Sequence, residues 1–201
     1  MKDKISLVTS FNSRLYEDPH CNIVESIKEY YPDLDFYVYH ENSFDIKNGY
    51  KPIEIENWGN LKMYDVFEVN SWLDNFLKLS PLKDCHKIGE QGELDGNSYW
   101  RRNAIYWFRK VASIYHCSYV CKTPLLYWVD ADSIVTDECR KLDDSILEYA
   151  NNFTVCTRVR NGLMSEVGQV IYNFNKGGKE FINNFLNLYR KEISKLEWES
   201  G

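Results

Sequence analysis

No run of 18 apolar residues occurs in the 201-residue chain, which excludes an evident transmembrane helix. The apolar stretch after Lys4 is too short for a signal peptide and reads as a first strand. Neither GxxxxGKS/T nor GxGxxG is present, so P-loop and Rossmann dinucleotide chemistry are disfavoured. The six cysteines (Cys21, Cys85, Cys117, Cys121, Cys139 and Cys156) form no CxxC pair and no His/Cys cluster. A structural zinc site is thus not expected, and reduced thiols of a cytoplasmic protein are. Lys and Arg total 24 against 30 Asp and Glu, a formal charge of -6, and they form no long runs. A broad nucleic-acid surface, which needs concentrated positive charge, is therefore not expected. An anionic small molecule would need a local cation or metal. No repeat, low-complexity tract or linker is apparent.

What is present is material for one folded domain over residues 1-201. Hydrophobic residues make up 44 % of the chain, and a domain near this size can bury about 70 % of its unfolded surface without staples. Strand and helix patterns alternate. Ile5 to Thr9, Phe36 to Tyr39 and Leu125 to Val129 are apolar runs of strand length, with a weaker one at Pro52 to Ile55. Cys21, Val24, Ile27 and Tyr31 recur at helical spacing before Pro32. Residues 59 to 79 are rich in helix formers, and Trp100 to His116 predicts a strong helix. A glycine-rich loop covers 84 to 98. Strands are expected at Phe153 to Thr157 and Val167 to Phe174, then a helix from Gly177-Gly178 to about Lys195. This order predicts an α/β fold, a mixed and mostly parallel sheet flanked by helices.

The most informative segment is Leu125 to Val135. Asp130 and Asp132 stand at i and i+2 just after a strand apolar on both faces. In an extended chain both carboxylates would face one side, about 7 Å apart, a spacing suited to flanking a divalent ion. With 14 Asp in the chain, roughly one DxD arises by chance, so the triplet alone is weak. Asp33-Leu34-Asp35 is such a decoy, lying in a polar turn after Pro32. The apolar strand ahead of Asp130 sets the second pair apart. In open α/β sheets, ligands bind beyond the carboxyl ends of strands.

This segment resembles the DxD motif of GT-A-type glycosyltransferases, small bacteriophage and viral members in particular. Arg101, Ala104, Trp107 and Lys110 match the R-x-x-A-x-x-(aromatic)-x-x-K pattern of the helix preceding that motif. Ser165 to Gly168, then Val170 to Phe174, is similar to the segment after the metal strand. The opening strand into Thr9-Ser10-Phe11-Asn12 resembles the first nucleotide-contacting loop. The resemblance implies a GT-A-like fold and a cytoplasmic glycosyltransferase of hexosyltransferase type, in the host cytoplasm if viral. The expected donor is a nucleotide sugar (UDP- or GDP-linked), transferred to an unidentified acceptor hydroxyl. Mn²⁺ or Mg²⁺ would be held by Asp130 and Asp132. Donor-binding residues would be Thr9, Ser10, Phe11, Asn12, Arg101, Lys110, Asp130 and Ala131. Glu166 would be the catalytic base or acceptor-orienting carboxylate. The family's later His or acidic residue has no counterpart, since the last His is His116. The third ligand is then water or phosphate, or belongs to a missing C-terminal portion.

Other residues weigh less. Arg158 and Arg160 could share a strand face toward phosphate. Trp58, Tyr106 and Trp107 join Phe11 as stacking candidates, although core packing is the ordinary role of an aromatic. His20, His40, His86 and His116 are scattered. Two alternatives are a non-catalytic sugar- or nucleotide-binding protein of the same fold and a haloacid-dehalogenase-type phosphatase. The latter's D-x-D-x-(T/V) motif is broken by Ile134.

Overall fold

The computed structural model describes residues 3–18, 22–73, 96–135, 142, 144–159 and 165–196, with backbone alone for 96–107, 158–159, 165–167, 189 and 191–196. The elements follow in the order β1 (Ile5–Ser10), α1 (Ser13–Tyr16), α2 (Ile23–Tyr30), β2 (Phe36–His40), α3 (Asn42–Lys47), β3 (Leu61–Asp65) and α4 (Val66–Val69). After these come α5 (Gly96–Val120), β4 (Leu125–Val129), α6 (Asp144–Ala150), β5 (Val155–Val159), β6 (Ser165–Asn173) and α7 (Gly178–Leu196). The six strands form one sheet in the order β3-β2-β1-β4-β6-β5. β3, β2, β1 and β4 run parallel, while β6 is antiparallel to both β4 and β5. The protein is thus α/β with a mixed, mostly parallel sheet flanked by helices.

Alternation along the central strands explains the layers. Val8, Tyr37, Tyr39, Leu126 and Trp128 bury against α4, α5 and α7 through Val66, Phe108, Val111, Ile182 and Leu186. Ile5, Leu7, Phe36, Val38, Leu125 and Val129 bury against α2 and α6 through Ile23, Ile27, Leu147 and Ala150. Because helices cover both faces, these strands read as unbroken apolar runs rather than as apolar–polar alternation. α2 ends at Tyr31, whose N–H closes on the Ile27 carbonyl, because Pro32 cannot extend the helix. Before α7, Gly177 adopts φ 86°. A Cβ on Gly178 would come within 2.6 Å of the Asn173 carbonyl oxygen, so this glycine pair is fixed by geometry.

Two sequence expectations are corrected. Pro52 to Ile55 is not a strand; Ile53 is instead clipped by the Asn42 side chain, which accepts from its N–H at 2.7 Å and donates to its carbonyl at 3.1 Å. The third strand is Leu61–Asp65, inside the stretch read as helix from 59 to 79. Pairing with β2 over Phe36 to His40 outweighs local helix propensity there. Asp33-Leu34-Asp35 lies in the turn before β2, and Asp35 pairs with Lys62, as expected of a decoy. The 84 to 98 loop, through residue 95, lies outside the described residues. Among the described residues, no helix is long and apolar enough to cross a membrane.

Asp65 joins α3, β3 and α4. Its carboxylate accepts from Ser43 N–H at 2.6 Å, Ser43 Oγ at 2.9 Å and Phe67 N–H at 2.9 Å. Burial alone would raise its pKa, but these bonds and the His40 ring hold it down at about 2. Because the folded value lies below the ordinary 3.8, the stability it contributes is present above that pH and is lost as pH falls through 2. Asp65→Ala is therefore expected to cost about 2–3 kcal/mol at neutral pH. In urea titrations the deficit should be unchanged at pH 5 and smaller at pH 3.

Candidate functional site

The parallel strands β2, β1 and β4 bring their carboxyl ends to one edge of the sheet. The chain builds outward from β1 to β2 and β3 on one side and returns to β4 on the other, so the strand order reverses between β1 and β4. An open α/β sheet leaves a crevice at that switch point, because the connections leave in opposite directions. Here the crevice is a cleft of about 450 Å³, within the usual range for small-molecule sites. Its walls include Ser10, Phe11 and Asn12 at the end of β1, Glu41 after β2, Arg109 and Lys110 on α5, and Trp128, Asp130, Ala131 and Asp132 at the end of β4.

The β4 end departs from the extended geometry expected of it. Ladder pairing continues as far as Asp130, whose N–H donates to the Gly168 carbonyl at 2.8 Å. The chain then turns, with Ser133 N–H donating to the Asp130 carbonyl at 3.0 Å. Ala131 is buried at the turn and Asp132 is exposed. Asp130 and Asp132 both line the cleft, on either side of the buried Ala131.

Asp130 continues the face of Trp128, toward α5. Its Oδ1 accepts from Lys110 Nζ at 2.7 Å and from Trp128 Nε1 at 2.6 Å. The Lys110 ammonium also lies 4.8 Å from the centroid of the Trp128 ring. Lys110, expected as a donor-binding residue, is thus brought beside Asp130 in the cleft. Ser10, Phe11, Asn12, Asp130, Ala131 and Asp132 line the same cleft. Asn12 Oδ1 caps α1 by accepting from Leu15 N–H at 2.8 Å. Ser13 N–H donates to the buried Asp45 carboxylate at 2.8 Å, which fixes the loop. Phe11 is 3 % exposed and stacks on Tyr16, so it is a wall rather than an open stacking platform.

Other expectations fall differently. Thr9, inside β1, is fully buried and does not line the cleft. Trp58 packs on Phe36, 6.1 Å between rings, away from the cleft. His40 contacts Asp65 at 3.6 Å, and His116 Nδ1 bonds Tyr39 Oη at 2.7 Å. The side chains of Arg101, Tyr106, Trp107, Arg158 and Glu166, together with Arg160, His20 and His86, lie outside the described residues. By backbone register Glu166 is on β6 opposite Arg158, two residues before the Gly168 that pairs with Asp130.

Two buried charges were not foreseen. Arg109, 3 % exposed, places Nη1 at 2.8 Å from Glu41 Oε2, beside the mutually stacked rings of Phe44 and Phe67, whose centroids lie 5.1 and 5.4 Å from its guanidinium. The contact is an ion pair whose angles do not make it an aligned hydrogen bond at Oε2. Burial pushes the Glu41 carboxyl up to about 7, against the pull of Arg109 and with the Asp45 and Asp65 charges adding to the rise. A signal for Glu41 was available: like Asp130, it directly follows an apolar strand. Arg109 carried none, since its charge sits among apolar neighbours. Arg14 and Asp18 also reach the cleft.

For a divalent ion, the donor set is two carboxylates. Among the described residues no cluster of three or more His, Cys, Asp or Glu could form a protein-only cage. The set nevertheless fits Mg²⁺ or Mn²⁺, which are commonly held by one or two carboxylates and completed by substrate phosphate and water. Lys110 Nζ and Trp128 Nε1 converge on Oδ1 of Asp130, whose side chain is 34 % exposed.

Removing one partner of a buried pair strands the other. Arg109→Met is expected to cost about 3–5 kcal/mol in urea unfolding at pH 8. The loss should shrink as pH falls and Glu41 takes up a proton. A Glu41→Leu, Arg109→Met double variant should recover most of it.

No protein-family model and no curated protein sequence matches the chain, so its functional reading rests on the cleft itself.

Proposed function

We propose that the chain is a metal-dependent glycosyltransferase that takes a sugar from a nucleotide-sugar donor to an acceptor hydroxyl. The observation carrying this reading is the convergence of Ser10–Asn12, Lys110, Asp130 and Asp132 on one cleft at the strand-order reversal. That cleft offers a wall of loop polar groups, a lysine and two carboxylates, which is the chemistry a diphosphate and its counter-ion require. The GT-A-like fold, the Mn²⁺ or Mg²⁺ ion and the cytoplasmic setting are parts of the same proposal.

In this reading Asp130 and Asp132 hold the ion, which when bound supplies Lewis-acid neutralisation of the leaving diphosphate. Lys110 offers an ammonium to the same phosphates. Ser10 and Asn12 orient the donor from the β1 side, with Phe11 and Ala131 as apolar walls. The buried Glu41–Arg109 pair gives the floor a fixed dipole with little freedom to rearrange, and such preorganisation is what electrostatic catalysis uses. Glu166 is proposed to take the acceptor hydroxyl proton or to orient that hydroxyl, and Arg101 to fork onto phosphate.

The test is hydrolysis or transfer from UDP- and GDP-sugars with Mn²⁺, for wild type and Asp132→Ala. Loss of a charge-stabilising group predicts a drop of about a hundredfold or more. A donor bound by the native state should also raise Tm. Equal turnover in the two proteins, or no donor binding by wild type, removes the assignment.

A further inference from the structure

We propose that Lys110 is a placeholder cation that makes metal binding conditional on the nucleotide. The inference rests on the cleft being a metal–nucleotide site and concerns what the cleft does before its ligand arrives. Asp130 and Asp132 follow one strand at i and i+2, and Glu41 and Asp18 share the same cleft. Glu41 is already paired with Arg109, and Arg14 shares the cleft with Asp18; the partly buried Asp130 carboxylate needs a counter-charge of its own. For Asp130 that counter-charge is Lys110, Nζ to Oδ1 at 2.7 Å. The ammonium has a built seat: carboxylate on one side, the Trp128 ring face at 4.8 Å on another. Trp128 Nε1 holds the same Oδ1 at 2.6 Å, so carboxylate, indole and ammonium form one unit.

A divalent ion entering against Asp130 meets that ammonium at close range, and like charges there repel strongly. The ion alone must displace Lys110 or bind beside it, and either route weakens it. A diphosphate changes the balance. Its oxygens complete the metal's shell and give the ammonium another anionic partner. The long, flexible lysine stem can swing from Asp130 to phosphate without leaving the Trp128 face. Metal and nucleotide then bind cooperatively, and by linkage each tightens the other by the same factor.

The experiment titrates Mn²⁺ onto the whole chain by calorimetry and electron paramagnetic resonance, alone and with UDP or GDP. Wild type, Lys110→Met (which keeps an apolar stem over Trp128) and Lys110→Arg (which keeps the charge) are compared. Wild type should bind Mn²⁺ weakly alone and at least about tenfold more tightly with the preferred nucleotide. Lys110→Met should bind Mn²⁺ alone about tenfold or more tightly than wild type and lose most of the nucleotide dependence, whereas Lys110→Arg should stay weak alone. If Lys110→Met binds Mn²⁺ alone no better than wild type while wild type still needs nucleotide, the placeholder role is wrong and the metal–nucleotide site stands. If wild type binds Mn²⁺ neither alone nor with either nucleotide, the reading of the cleft fails and takes this proposal with it.

Should Lys110→Met not fold, wild type alone decides through the Trp128 indole N–H resonance, assigned with Trp128→Phe. It should shift with Mg²⁺ only when nucleotide is present. A shift with Mg²⁺ alone at the same concentration overturns the placeholder role.

Discussion

Burial of the central strands on both faces is the constraint from which the rest follows. Leu125, Leu126, Trp128 and Val129 are each at most 4 % exposed, so β4 has no room for charge until its ladder ends. β1 and β2 likewise hold no Asp, Glu, Lys or Arg, and Ser10, Asn12, His40 and Glu41 stand at their carboxyl ends. Helices on both sides thus do more than cover the sheet. They keep charge out of these three strands and confine it to the strand ends, and at the β1–β4 reversal the carboxyl-end edge opens into a cleft.

Within the cleft the charges are arranged in two tiers. Deeper lies the Glu41–Arg109 pair, packed beside the stacked rings of Phe44 and Phe67 and shielded from solvent. A buried pair of this kind seldom adds net stability over an apolar equivalent, whereas loss of one partner leaves an uncompensated buried charge. Nearer solvent lies Asp130 with Lys110 and Trp128, and Asp132 is outermost. The outer tier can exchange partners, whereas the inner one is locked by packing. That division suits a site proposed to receive a metal and a diphosphate together.

The residues legible in sequence were those whose role follows from position along one element. An acid at the end of an apolar strand, a polar loop after the first strand and a lysine on the helix before β4 all reach the cleft. Thr9, one residue before Ser10 in β1, is fully buried and is not among the residues lining the cleft. The helix expected over 59 to 79 failed at β3, where an edge strand is specified by its partner β2 rather than by its own composition. Glu41 obeyed the rule that found Asp130 but follows a strand ending in His40. Arg109 was beyond any local rule, because only packing shows which polar residue of a helix is buried.

The sequence by itself determined the alternation of buried strands and helices, and with it the acidic pair at the mouth of β4. The tertiary structure alone decided that the chain turns at Asp130–Ser133, that Lys110 and Trp128 both grip Asp130, and that Glu41 meets Arg109 across the cleft floor. The physical reason is range. Periodicity and strand ends are written in neighbouring residues, whereas a contact such as that of Glu41 with Arg109 depends on how α5 crosses the sheet.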